Sequence, residues 1–372
     1  MASELQVNTI TEATSGSGIT FAKDIIPATP LSHRNMIING AMKVAQRIGG
    51  VIGSSGAVTT SGYVTADRFR FVTSGGTIEK SIQDAGTSAL PFTEAGLQRY
   101  ARMKTTTGGS NAAADYALVQ YKVEAQDINS QWTYHNNASS NVTLSFYART
   151  NVAGTYYAQL QSIDGTSQTH TKSYTLAADT WKRVTLTFPG HANVAINDDN
   201  GEGLRINIPA YYGTNYTGHS EAVLDSWYNR TQTNGEYPNF AQNWQTSTNN
   251  VFDITGVQLE LGTVATPFEH RTFAEELVRC RRYFIAMPYH STSSAGGMRM
   301  YGTLVFNISP PMRTQPSVTT YGTGGHGGSN SGKYDQDGVG NVSTNTIIGY
   351  EYVAVTANSG NGYVAFRMDA EL

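Results

Sequence analysis

The chain has 372 residues, of which 14% are charged, and a formal net charge of −3 at pH 7. A prior of about 100–200 residues per domain gives two or three domains. So sparse and slightly acidic a charge excludes the concentrated basic face of a nucleic-acid binder. The 38 glycines and 22 tyrosines, with abundant Ser, Thr and Asn, point to short strands, many turns and neutral polar surfaces. Such surfaces suit glycans or stable subunit packing better than ionic ligands. One cysteine, Cys280, excludes an intrachain disulfide. No run approaches the ~18 apolar residues of a membrane span, so no membrane insertion is expected. The start lacks a basic n-region and an apolar run, so synthesis in a cytoplasm is expected and the N-x-S/T triplets are chance matches.

Met1–Pro30 carries small apolar clusters separated by Thr, Ser and Gly and ends in prolines. One copy cannot bury enough surface to offset its ordering entropy. It is either a disordered arm or a strand-rich segment completed by other chains. Residues 1–34 are therefore set apart from the domain that follows.

Residues 35–268 read as one antiparallel sandwich. Ala117, Val119, Tyr121 and Val123 share one face of a strand over Tyr116–Val123. Val142, Leu144, Phe146 and Ala148 do so over Val142–Arg149, and Val184–Phe188 and Leu204–Ile208 repeat the alternation. In Ile254–Leu261, Val257, Leu259 and Leu261 point inward and Gln258 and Glu260 toward water. Many short alternating strands joined by Gly, Asn and Asp turns make an all-β fold with a central jelly-roll sandwich.

Pro267 marks a corner, and Thr272 with Glu275 makes a capping-box pattern for a short amphipathic linker helix within 269–287. Phe273, Leu277, Cys280 and Phe284 fall on its apolar face, with Glu276, Arg279 and Arg282 away from it. That face is the expected trimer contact, and Cys280 on it is a buried, inert thiol. Residues 288–372 form a smaller C-terminal β-sandwich tip, including a glycine-rich hairpin or loop at Tyr321–Gly340.

Candidate chemistry concentrates in two places. Tyr211, Tyr212, Tyr216, Trp227, Tyr228 and Trp244 lie in a long polar segment between core strands. Sugars stack their C–H faces on such rings, with Asn, Gln and Asp as hydrogen-bonding partners. The alternative is that these rings staple a loop or pack at a subunit interface. The tip segment Tyr321–Tyr334 is an equal candidate for the glycan site. The run Asn197–Glu202 reads as a solvated turn, or as oxygen ligands for a structural Ca²⁺ through Asp198, Asp199 and Glu202. His326 offers a metal site shared across a three-fold axis. No G-x-S-x-G, H-E-x-x-H, P-loop or dinucleotide fingerprint is present, and no catalytic residues or enzyme activity are expected.

Several stretches are similar to virion proteins of tailed bacteriophages. SELQVNTITEATSGSGITF resembles the short β-elements that open phage fibres. NMIINGAMKVAQR (Asn35–Arg47) and YVTADRFRF (Tyr63–Phe71) resemble the opening of carbohydrate-binding-module-like jelly rolls in tail proteins, with Phe69 where a tryptophan is usual. DITGVQLELGTVATPFEHRTFAEELVRCRRYF (Asp253–Phe284) and the ending AFRMDAEL also resemble segments of such fibres. The resemblance implies a homotrimeric tail-fibre or receptor-binding protein. It would be joined to another virion protein through residues 1–30 and attach to a host surface glycan. Rivals are a capsid-decorating or head-fibre protein, and a surface-polysaccharide depolymerase.

Overall fold

The computed structural model describes residues 33–48, 58–218, 224–230, 237–293, 299–307, 309–321, 334–335, 339–342, 346–354 and 360–372. Expectations for Met1–Pro30, for His326 and for residues 322–333 of the tip candidate lie outside the described residues. The chain is all-β, as predicted. One sheet has six strands in the order β1 (Phe69–Ser74), β4 (Tyr116–Glu124), β9 (Glu202–Tyr212), β6 (Gly154–Ser162), β7 (Gln168–Leu176) and β10 (Trp227–Asn229). The facing sheet has five: β2 (Thr77–Asp84), β3 (Arg99–Thr107), β11 (Val251–Leu261), β5 (Asn141–Thr150) and β8 (Lys182–Pro189). All pairings are antiparallel, and the chain passes repeatedly between the two sheets, which is the jelly-roll pattern.

Period-two patterning explains the core. Val119 and Tyr121 from β4, Ile206 and Ile208 from β9, and Leu144 and Phe146 from β5 are all buried between the sheets. In β11 the phase changes once. Phe252 and Ile254 point inward before a bulge at Gly256, where φ is +61°, and Val257 and Leu259 point inward after it. The sequence placed Gln258 and Glu260 in water, but both are buried. The following turn folds back over them: Thr266 N donates to Glu260 (2.9 Å) and Glu269 N donates to Gln258 (2.8 Å).

His170 on β7 is fully buried between Phe188 (5.1 Å between centroids) and Trp227 (5.3 Å). Neither ring nitrogen has a hydrogen-bond partner among the described residues. Burial, and then Lys172, push its pKa down to about 4, so the folded chain holds it neutral. Between about pH 6.5 and 4 the unfolded chain binds this proton and the folded chain does not. This contribution to stability is therefore complete above pH 6.5 and is lost as the pH falls through that window. Asp67, raised to about 6 chiefly by burial, acts with the opposite sign. His170→Leu is expected to remove roughly 2–3 kcal/mol of the stability change between neutral pH and pH 4.5. Urea unfolding of both forms at the two pH values measures it; equal changes would refute it.

After the sandwich, α3 (Phe273–Arg281) carries the predicted capping box, with Thr272 and Glu275 bonded reciprocally. Beyond it, β12 (Phe284–Ser293), β18 (Gly360–Asp369) and β14 (Ser317–Tyr321) make a three-stranded antiparallel sheet. A further antiparallel sheet, of four strands, contains β13 (Arg299–Asn307), β17 (Thr346–Ala354), β15 (Tyr334–Asp335) and β16 (Val339–Val342).

The motifs of the phage resemblance that lie among the described residues meet in one joint. Asn35 Nδ2 donates to Val257 O (3.2 Å), and its Oδ1 accepts from Leu259 N (3.1 Å). Asn39, held at φ 62°, donates to the Val44 and Asp67 carbonyls, and its own N–H donates to Glu276 (2.7 Å). Glu276 is thus buried, where the helical pattern placed it outside. Arg68 is buried, pairs with Glu371, and lies 3.4 Å from the Tyr283 ring centroid. Buried Glu124 at the end of β4 accepts from Arg282 (2.5 Å) and the Tyr283 hydroxyl (2.7 Å).

This joint also corrects the expected trimer face. Cys280 packs with Ile38, Val44 and Tyr283 of the same chain, and Leu277 packs against that cluster. Phe284, the first residue of β12, is buried beneath the Arg47 guanidinium at 3.7 Å. Only Phe273 of the four remains exposed. An amphipathic pattern records that a face is covered, and here the chain's own residues 36–48 cover most of it. The Cys280 thiol is buried, as expected, and burial raises its pKa well above the ordinary value.

Candidate functional site: a groove on the six-stranded sheet

The outward face of the six-stranded sheet holds a groove of about 240 Å³. Arg70, Gln120 and Asn207 line its floor and begin a row of directly opposed positions on successive strands that continues beyond the lining through Gln159 and Thr171. Each is bonded to the next. Arg70 Nη1 donates to Gln120 (3.0 Å), Gln120 Nε2 to Asn207 (2.9 Å), Asn207 Nδ2 to Gln159 (3.2 Å) and Gln159 Nε2 to Thr171 (3.0 Å). Gln120 and Asn207 are more than nine-tenths buried and Gln159 completely so, yet each amide has partners. The ladder fixes the side chains before any ligand arrives, which lowers the ordering cost of binding.

One end of the groove is a tyrosine wall. Tyr212 stacks on Tyr237 (4.9 Å, 27°) and lies 5.3 Å from Tyr216, whose ring meets Tyr116 edge-on at 5.4 Å. Tyr237 also donates its hydroxyl to Gln159 (3.1 Å), tying wall to floor. Tyr116, Tyr212 and Tyr216 are partly exposed. Burial, and then Tyr116 and Asp115, raise the Tyr216 pKa, so its hydroxyl stays protonated and able to donate.

The other end is cationic. Lys122 and Arg205 face each other across β4 and β9, and Arg205 faces Gln161 on β6. Glu202 accepts from Arg205 (2.5 and 3.0 Å) and from Lys122 (2.8 Å). Burial alone would raise the Glu202 carboxyl, but Arg205 and then Lys122 outweigh it and hold it below the usual range. Arg230 lines the same groove.

The sequence-predicted aromatics divide. Tyr212 and Tyr216 line the groove. Tyr211 is buried, with its ring edge-on to Phe240 (6.1 Å). Tyr228 stands on β10 opposite Thr169 and does not line the groove. Trp227 and Trp244 are corrections: both belong to the core, Trp227 donating to Pro189 O (2.7 Å) and Trp244, fully buried, donating to Val251 O (3.1 Å). Neither can offer a stacking face. The long segment after β9 does staple itself down, and it does so with its tryptophans.

The Asn197–Glu202 carboxylates do not gather around a common point. Asp199 accepts from the Gly201 amide (2.7 Å) within its own turn, and Glu202 is taken by Arg205 and Lys122. Among the described residues no group of three or more His, Cys, Asp or Glu is arranged to hold a metal ion. Asp198, Asp199 and Glu202 form no such group.

Sequence reasoning missed Tyr116, Gln120, Gln159, Asn207, Tyr237 and the arginines. A signal existed. Amides are depleted from strand interiors, yet Gln120, Gln159 and Asn207 each sit mid-strand at the phase opposite the core residues.

No protein-family model matches the chain, and no curated protein matches it. Solved structures similar to it include the enzymatically active domain of tailspike protein 4 of bacteriophage CBA120, at 10% identity and a TM-score of 0.32, over 61% of this chain. The chain spans only 21% of that tailspike domain's length. A family 11 carbohydrate-binding module of a Clostridium thermocellum cellulase is 12% identical, with 59% of this chain and 100% of the module covered and a TM-score of 0.27. A Stig cyclase from Fischerella sp. TAU is 10% identical, with 62% and 98% covered and a TM-score of 0.34.

Proposed function

We propose that the groove binds a glycan and that the chain is a non-enzymatic virion protein of a tailed phage, of the tail-fibre or receptor-binding type. The observation that carries the glycan reading is the tyrosine wall set beside a buried, fully bonded amide floor. Aromatic rings take the C–H faces of a sugar, and fixed amides and guanidinium groups take its hydroxyls. Binding without turnover is favoured by the lining: a glycosidase needs two carboxyl groups flanking the bond. Among the described residues none of the groove-lining side chains is Asp or Glu.

The place on a particle rests on the sequence resemblance alone. In that reading the chain is a homotrimer, attached through residues 1–30, whose three weak sites gain avidity against a bacterial surface. Light scattering is expected to give a trimer, and imaging of the virion to place the chain on the tail. A stable monomer, or a location on the capsid surface, would favour the head-fibre rival.

For the groove itself, Tyr212→Ala is expected to weaken binding to host surface polysaccharide about tenfold, and Asn207→Leu by more. Asn207→Leu also strands the Gln120 amide and leaves the Gln159 carbonyl with the Tyr237 hydroxyl alone, so its folding is checked by melting. Surface retention assays with the full chain measure the loss. Unchanged binding in Tyr212→Ala would remove the groove from consideration, and release of oligosaccharides from the polysaccharide would show a depolymerase.

A further inference from the structure

We propose that the groove is built for an acidic glycan, whose carboxylate is taken by the arginines that line it. The inference rests on the glycan reading above and adds the chemical class of the ligand. Three guanidinium groups, Arg70, Arg205 and Arg230, line the groove, and among the described residues no carboxylate does. The chain as a whole is slightly acidic, at −3, so this positive lining is a local arrangement and not a reflection of overall composition.

Among the described residues, the acids near the groove have partners. Glu202 is shared between Arg205 and Lys122, one carboxylate serving two cations. Asp115, near the tyrosine end, accepts from the Ala112 amide (2.8 Å). Glu371 is bound to Arg68 and Arg47 outside the groove. Among the described residues no groove carboxylate opposes Arg70; it donates to the neutral Gln120 amide, which holds the guanidinium at the end of the floor.

Position supports the same reading. Tyr116 and Lys122 stand at opposite ends of the outward face of β4, about 20 Å apart along the strand. The groove thus presents rings, then a row of amides with Arg70 at its end, then Arg205. An extended oligosaccharide can place one unit against the tyrosines while the carboxylate of another reaches the arginines. Arginine suits that end because its planar fork pairs with a carboxylate through two parallel hydrogen bonds. In a partly enclosed groove such a pair is screened less than at an open surface.

The test uses the full chain and two matched sets of oligosaccharides: hexuronic-acid oligomers (oligogalacturonate, oligoguluronate, hyaluronan) and the same oligomers with their carboxyl groups reduced to alcohols. Calorimetric titration at low and at physiological ionic strength is expected to show binding to at least one acidic oligomer. Reduction should weaken it by roughly tenfold or more, and added salt should weaken the acidic form only. Arg70→Gln and, independently, Arg230→Gln should lower affinity for the acidic form about tenfold and affinity for the reduced form by clearly less. Both variants are compared at matched melting temperatures, and either one losing the acid preference supports the assignment. Equal binding of acidic and reduced forms would overturn the acidic class while leaving glycan binding intact. Acid binding that survives Arg70→Gln, Arg230→Gln and Tyr212→Ala alike would place it outside the groove and overturn the inference. Failure of the acidic and reduced sets and of neutral host polysaccharide together would overturn both readings.

Discussion

Replacing Asp253 by alanine is expected to destabilise the chain by about 3–5 kcal/mol, the cost of stripping the partner from buried charge. Asp253 is fully buried on the outer face of the five-stranded sheet, in register with Arg102 on β3 and Arg149 on β5. Arg102 reaches its two oxygens at 2.7 and 2.9 Å, and Arg149 reaches one of them at 3.0 and 2.6 Å. Both guanidinium groups also lie near the Tyr100 ring, at 5.3 and 5.8 Å, and Arg149 near Trp181 at 5.2 Å. The carboxylate therefore sits between two cations that packing holds in place. Without it they face one another across β11 with no counter-charge. Asp253→Asn keeps the shape and one acceptor, so it should cost less than alanine and more than an exposed ion pair, whose usual worth is ~0–1 kcal/mol. Urea denaturation measures both. A loss below 1 kcal/mol for alanine would mean that the arginines relax into solvent and the cluster is only a surface pair.

Gly40→Ala should cost more than about 3 kcal/mol and interfere with folding. A β-carbon on Gly40 would fall well inside van der Waals contact of the Val257 carbonyl oxygen. That oxygen cannot retreat: Val257 follows the β11 bulge, its own N–H donates to Gly40 O (3.0 Å), and Asn35 Nδ2 donates to the same carbonyl. The clash would push residues 35–40 off the strand, and with them the contacts of Asn39 to Glu276 and of Ile38 to Cys280. Gly86 is the control. Its φ is +72° but nothing lies within 4 Å of its would-be β-carbon, so alanine there should cost only the ~1–2 kcal/mol of a left-handed backbone. Similar losses at the two sites would show that the close approach at Gly40 is not what the fold depends on.

Strands whose inward residues alternate cleanly were legible in the sequence: β4, β5, β8, β9 and the latter part of β11. So was α3, because Thr272 and Glu275 announce a helix start through local bonds alone. What escaped depends on tertiary cover. Gln258, Glu260 and Glu276 are polar residues at outward phases, and period alone assigns them to water. They are buried because later segments return over them with matching donors. The same limit explains the tryptophans. Trp227 and Trp244 lie in a polar stretch of sequence, and only the three-dimensional path shows that the stretch drives those two rings into the core and leaves Tyr212 and Tyr216 at the surface. Adjacent Tyr156 and Tyr157 on β6 must point to opposite faces, but the outward Tyr157 is itself covered by Phe240 at 5.0 Å.

The two ends of the groove differ in how freely they can change over generations. The tyrosine end draws Tyr216 and Tyr237 from the segment after β9, whose substitution touches neither Glu124 nor Asn39. The cationic end adjoins the joint: Lys122 donates to the Leu372 oxygen (2.8 Å), and Arg68 donates to the Lys122 carbonyl (2.7 Å). Variation in which sugar is stacked can therefore accumulate in one stretch of chain without disturbing cohesion. A reversal of charge at the opposite end would have to arise together with compensating changes in the last residues. Related chains that diverge in specificity should then differ first in the sugar that meets the rings, and last in the sign of charge they prefer.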